Sequence, residues 1–194
     1  MGNGFLGSNA TRCFIGVELE PHLIGLSQKA IGRLKQTVHH ARWLSADQMH
    51  VTVKYLGEVD NRDLLQVCQV MRRACEGLAP FDLALDGLGT FPKGKPPRVV
   101  WARVAEGVEQ LAGMYEFLDR ELAALGIPQE GRAYTPHLTL GRLQPGNDLA
   151  QLENSLQTIA RDVVSRCTIE GLALFTSERL RGDFVYEVID KAPF

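Results

Sequence analysis

Several features that would direct a reading are scarce or missing in this chain. It has only four cysteines in 194 residues, Cys13, Cys68, Cys75 and Cys167, and none form a CxxC pair. With no secretion signal in view, that excludes a disulfide framework, and the four are read as reduced. No His or Asn signature surrounds any of them to suggest a catalytic thiol. Cys68 and Cys75 fall two turns apart on a predicted helix and are expected in the core. No apolar run approaches the twenty or so residues of a membrane span. The opening MGNGFLGSNATR lacks a basic n-region followed by an apolar stretch, and Leu6 stands where a myristoylation signal wants Ser or Thr. Residues 1–11 are therefore expected to form a flexible tail, and a cytoplasmic location is expected. Neither charge sign dominates: the formal net charge is −2. No strong overall field draws the chain to a membrane or along a nucleic-acid polymer. A nucleic-acid substrate would have to be met by a local basic cleft.

What is present is an ordinary globular composition, 45% hydrophobic and 23% charged, long enough to bury a core without metal or disulfide staples. Periodicity alternates strands and helices. A strand is predicted over CFIGVEL (13–19), then a helix opened by Pro21 and striped by Leu23, Ile24, Ala30, Ile31, Leu34 and Val38. A strand around His50 ends at Gly57, and Asp60 caps a second helix striped by Leu64, Val67, Cys68, Met71, Cys75 and Leu78. FDLALDGLGTF (81–91) reads as a strand and FPKGKPP as a loop. The order then restarts: strand RVVWARV (98–104), a helix closed by Gly126, loop IPQEGRAYTP, strand HLTLGRL, and a shorter helix. Two last strands are predicted near 166–175 and 183–189, joined by a turn at TSERLRG.

Within this order one tetrapeptide pattern, His-apolar-Thr-apolar, occurs twice: His50-Val51-Thr52-Val53 and His137-Leu138-Thr139-Leu140. At ordinary residue usage one copy arises by chance in roughly a few per cent of chains this long, and two are far rarer. An offset of 87 lays His50 on His137, Thr52 on Thr139 and Asp60 on Asn147, both plausible helix caps. The repeat reads as an internal duplication with halves of roughly 12–92 and 97–194. The fold class expected is α+β: two pseudo-symmetric lobes, antiparallel sheets and flanking helices around a central groove, forming one bilobal domain over 12–194.

Strand alternation places each His and its Thr on one face and the aliphatic residues on the other. A twofold arrangement would bring two imidazoles and two hydroxyls to one cleft. Such a pair can serve as one neutral base and one protonated acid, while the hydroxyls donate to phosphate oxygens. In-line displacement at phosphorus needs that layout. No HExxH or Cys/His ligand spacing calls for a metal. Two other readings stay open: buried structural histidines, or a zinc site on His50 and His137 with no evident third ligand. His22, His39 and His40 read as solvated surface residues.

The paired motifs resemble those of the two-histidine phosphoesterase superfamily, and within it the RNA 2′,3′-cyclic phosphodiesterase family, historically called 2′-5′ RNA ligase. The likeness extends over RCFIGVEL, MHVTVKYLGEV, FDLALDGLGTFP, PRVVWARV, RAYTPHLTLGR and LFTSERL…FVYEVI. It implies hydrolysis of a terminal 2′,3′-cyclic phosphate on RNA to a 2′-phosphate, without metal or cofactor. It implies His50 as proton donor, His137 as proton acceptor, and Thr52 and Thr139 as phosphate ligands. The expected partners are RNA ends bearing the cyclic phosphate, tRNA fragments included, with no membrane or protein partner and a monomeric state. Three further side chains are candidates for substrate binding. Lys54 is in phase with His50 and Thr52 and would add positive charge to the cleft, or sit solvated at its rim. Arg132 and Tyr134, in the loop before the second motif, would pair with phosphate and stack on a base; Tyr134 packing against its lobe is the alternative. Arg142 falls out of phase with His137 on an ideal strand. Trp43 and Trp101 read as core. The alternatives to the leading activity are a small cyclic nucleotide or ADP-ribose cyclic phosphate as substrate, reversible 2′-5′ ligation, and a non-catalytic nucleotide- or RNA-binding module.

Overall fold

The structure is a computed structural model and describes residues 9–194. Its elements run β1 (Ala10–Val17), α1 (Pro21–Leu34), β2 (Ala41–Trp43), β3 (Val51–Asp60), α2 (Leu64–Cys75), β4 (Phe81–Phe91) and β5 (Val99–Glu106). They continue with α3 (Val108–Ala123), β6 (His137–Leu143), α4 (Leu149–Ile159), β7 (Ser165–Ile169), β8 (Gly171–Leu180) and β9 (Asp183–Pro193). Residues 1–8 of the expected tail lie outside the described residues, and β1 already begins at Ala10.

Among the described residues all strands pair antiparallel in one nine-stranded sheet, ordered β7-β4-β5-β6-β3-β1-β8-β9, with β2 attached to β6. The short 92–98 connection turns β4 back beside β5, and β8 returns to pair with β1. Each half of the sequence therefore lends two strands to the other half of the sheet, β2 and β4 from the first and β8 and β9 from the second. The helices are shared in the same way. α1 and α4 pack together on the β7-β4 side, and α2 and α3 together beneath the β3-β1-β8-β9 side. Apolar stripes explain the packing. Leu23, Ile31 and Leu34 of α1 and Leu111, Leu118 and Leu122 of α3 are buried. Each contributes about 1.5–3 kcal/mol relative to an exposed position.

Four local expectations are corrected. β3 does not stop at Gly57 but continues to Asp60, with Gly57 at φ 74 inside it. α2 is capped at Asp63 rather than Asp60, whose carboxylate instead accepts from the backbone and guanidinium of Arg62. α4 is capped by Asp148, accepting from the backbone N–H groups of Ala150 and Gln151, while Asn147 donates to the His40 carbonyl. The segment near 166–175 is two strands broken at Glu170, and TSERLRG is mostly strand, its turn confined to Arg181 and Gly182. The three-residue β2 carries too little pattern to be seen in sequence. Among the described residues no helix is long and apolar enough to cross a membrane.

Candidate active site

β3 and β6 meet at one register pair, Val51 opposite Leu138. Those residues are also each other's counterparts under the offset of 87, so the pseudo-twofold passes between them. Antiparallel pairing then places His50 across from Thr139 and Thr52 across from His137 on the same face. From strand rise and spacing, the two histidine Cα atoms lie roughly 8 Å apart, room for one phosphoryl group between the imidazoles.

Both rings are oriented in the same way. His50 Nδ1 meets the Gln48 carbonyl at 3.0 Å and His137 Nδ1 meets the Thr135 carbonyl at 2.7 Å. Since a carbonyl only accepts, each Nδ1 carries the proton and each Nε2 is left free to give or take one. His50 Nε2 lies 3.1 Å from the Thr52 hydroxyl. Aromatic walls surround both imidazoles. His50 stacks on Phe14 at 4.4 Å and meets Tyr186 edge-on at 5.1 Å. Phe91 and Trp101 meet His137 edge-on at 5.1 and 5.9 Å. Burial lowers the His50 pKa to about 4, with a smaller contribution from the His137 charge and an opposing one from the Gln48 carbonyl. Burial also lowers that of His137, helped by Arg132 and Arg142 and opposed by the Thr135 carbonyl.

The cleft is unequal on its two sides. A cavity of about 400 Å³ adjoins His137, lined by Thr52, Tyr55, Phe91, Arg132, Tyr134 and Arg142 among others. The space beside His50 is about 50 Å³ and is bounded by Arg42, Gln48, Phe184 and Tyr186. The β8–β9 hairpin forms that wall, held by Gln48 Nε2 donating to the Phe184 carbonyl at 2.6 Å and Arg42 donating to the Gly182 carbonyl at 2.8 Å and to Asp183.

A matched pair of β-bulges changes which residues reach the cleft. On β3, Thr52 pairs with Gly16 and Lys54 with Ile15, leaving Val53 unpaired. On β6, Thr139 pairs with Trp101 and Gly141 with Val100, leaving Leu140 unpaired. Val53 and Leu140 are counterparts under the same offset of 87, so the duplication preserves the bulge as well as the motif. Each bulge reverses the alternation beyond it. Lys54 is thereby turned away from the cleft and is 0% exposed, its Nζ donating to Asp119 Oδ1 at 2.6 Å and to the Pro128 carbonyl at 2.9 Å. It is neither a cleft cation nor a rim lysine. Tyr55 and Arg142, counterparts five residues beyond each His, are turned inward and line both spaces. Arg142 makes no ion pair among the described residues. Gly141, the counterpart of Lys54, leaves room for Trp43, whose Cε3 would lie 2.6 Å from an added Cβ.

The other candidates divide. Arg132 borders the larger cavity but pairs with Glu130 at 3.3 Å. Tyr134 is packed against the fold, stacked on Tyr115 at 4.6 Å and donating its hydroxyl to the Thr52 carbonyl at 2.9 Å. Its ring still forms part of the cavity wall, but the face stacked on Tyr115 is not free for a base. Among the described residues no three His, Cys, Asp or Glu side chains converge to hold a metal ion.

The profile of the 2′-5′ RNA ligase superfamily matches residues 25–181. The chain belongs to this superfamily. It is 32% identical over 151 residues to a Methanothermobacter thermautotrophicus protein named RNA 2′,3′-cyclic phosphodiesterase, covering 76% of this chain and 81% of that one. A Thermotoga maritima protein of the same name is 31% identical over 133 residues, covering 69% and 70%. A crystal structure of a Thermus thermophilus protein superposes with a TM-score of 0.74 at 26% identity, covering 94% and 97%. Escherichia coli LigT complexed with 3′-AMP superposes with a TM-score of 0.73 at 20% identity, covering 95% and 98%, and has the same fold.

Proposed function

We propose that this superfamily member hydrolyses the terminal 2′,3′-cyclic phosphate of RNA to a 2′-phosphomonoester, using His50 and His137 as an acid and base pair without a metal. The observation that carries the reading is the placement of two His-Thr pairs about the Val51–Leu138 axis, with both Nε2 atoms free of backbone bonds. The names of the relatives support the substrate class.

In this reading the phosphoryl group lies between the imidazoles. Thr52 and Thr139 donate to its nonbridging oxygens, and Arg142 supplies the positive charge that opposes the one developing there. His137 Nε2 removes a proton from water as its oxygen attacks phosphorus. The P–O3′ bond breaks on the opposite side, and His50 Nε2 gives its proton to the departing O3′. The 2′ ester bond is kept, and the histidines end with their roles exchanged, so one proton transfer through solvent resets them. Near-twofold symmetry permits either order; the family resemblance favours His50 as donor. A low His50 pKa fits that role, because an imidazolium that holds its proton weakly transfers it readily to a leaving oxygen. The negative phosphate brings the proton it needs within reach by favouring the charged ring.

Phosphorus NMR of an oligonucleotide ending in a 2′,3′-cyclic phosphate, incubated with the protein in EDTA, tests this directly. A 2′-monophosphate is the expected product. A 3′-monophosphate would overturn the leaving-group placement, and no conversion between pH 5 and 9 would overturn the activity.

A further inference from the structure

Among the described residues Lys54 is the one charged side chain that is fully buried. Its side chain is wholly inaccessible, its nitrogen lies 2.6 Å from Asp119 of α3 and 3.9 Å from Glu130, and it donates to the Pro128 carbonyl at 2.9 Å. Such a pair gains little stability over apolar side chains of the same volume, because desolvation consumes most of the attraction. What an apolar pair could not supply is directional bonding to backbone. Here both partners use it on one segment: Lys54 holds the Pro128 carbonyl, and Asp119 Oδ1 accepts the Glu130 N–H at 3.0 Å.

That segment, 127–136, is the loop that runs from α3 into the second motif. Glu130, Arg132, Ala133, Tyr134 and Thr135 line the 400 Å³ cavity. Its far end is tied to the first motif, where the Tyr134 hydroxyl donates to the Thr52 carbonyl. One buried ammonium, on the strand of the first motif, thus fastens the wall that faces the second. The cavity is far larger than a phosphoryl group needs, and it is the space into which a nucleoside attached to a phosphate held between the histidines can extend.

We propose that Lys54 is a positioning residue for the nucleoside of the substrate: with Asp119 it clasps the 127–136 loop in the shape of the cavity wall. This rests on the activity proposed above. The clasp acts on nucleoside binding, whereas the His-Thr pairs bind the phosphate.

The test replaces the pair by apolar side chains, Lys54→Met with Asp119→Leu, so that no buried charge is stranded. Melting and circular dichroism establish the fold, and calorimetry compares adenosine 2′-monophosphate with inorganic phosphate. The double variant is expected to bind the nucleotide at least about tenfold more weakly while phosphate affinity changes less than about twofold. With a cyclic-phosphate-ended oligonucleotide the loss falls on KM rather than kcat. Unchanged nucleotide affinity overturns the proposal, and so does a parallel loss for both ligands. Should the double variant fail to fold, amide exchange in the unaltered protein decides: the Glu130 N–H is expected to exchange on the order of a hundredfold slower than that of exposed Gly131, and equal rates overturn the clasp. An unaltered protein that binds neither ligand would refute the underlying activity instead.

Discussion

Burial of His50 has a consequence for folding that is separate from turnover. Its imidazole is enclosed by Phe14, Phe175 and Tyr186, and its pKa is lowered from 6.5 to about 4. In the unfolded chain it titrates near 6.5. Between those values the unfolded state binds a proton that the folded state does not, so stability falls as pH falls through this window. Two and a half pH units at about 1.36 kcal/mol each give a loss of about 3 kcal/mol by pH 4, of which about 2.5 is incurred by pH 4.5. His50→Gln removes the titration while its amide can still donate to the Gln48 carbonyl. Urea unfolding of both proteins at pH 7.5 and 4.5 isolates the histidine, because the carboxylates that titrate over the same range are common to both and cancel. The wild-type advantage over the variant should shrink by about 2.5 kcal/mol between the two pH values. A difference constant within about 0.5 kcal/mol would refute the lowered proton affinity of His50 in the folded protein.

Four further outcomes follow from the same geometry. Because burial lowers both imidazoles, the singly protonated pair is populated on the acid side of 6.5, so kcat/KM should be bell-shaped with its maximum below pH 6.5, and an upper limb at pH 7.5 or above would contradict it. In the same assay, His137→Ala should slow turnover on the order of a hundredfold or more, and a near-normal rate would remove it from the mechanism. Arg142→Leu should lower kcat/KM by about 10- to 150-fold, the value of a charged hydrogen bond of about 1.5–3 kcal/mol, with partial recovery in Arg142→Lys; a change under threefold would place Arg142 outside the phosphate site. Lys54→Met alone strands Asp119 and should cost about 3–5 kcal/mol in urea unfolding, most of it regained when Asp119→Leu is added.

Much of this was legible in the chain itself. The strands over 81–91 and 137–143 and the helix closed by Gly126 follow from periodicity and turn chemistry, both local properties. The duplication was legible because two tetrapeptides share one offset, and it correctly implied that His50, His137, Thr52 and Thr139 meet on one face. The inward turn of Tyr55 and Arg142 left a single trace in sequence, their equal spacing of five residues beyond each His. Nothing in the residues themselves announced a bulge, since Val53 and Leu140 are ordinary strand formers.

The sequence by itself therefore determined the chemical groups, their pairing by symmetry and the elements that carry them. Tertiary structure decided which of their neighbours take part. A bulge is a property of two strands in register, and it exchanged Lys54 for Tyr55 and brought Arg142 into the cleft. The proton affinities of the two histidines were likewise set by rings from β1, β4, β5, β8 and β9, distant in sequence and adjacent only once the sheet has formed. Alternation along a strand is written in the order of its residues, whereas register and burial exist only between segments that have already come together.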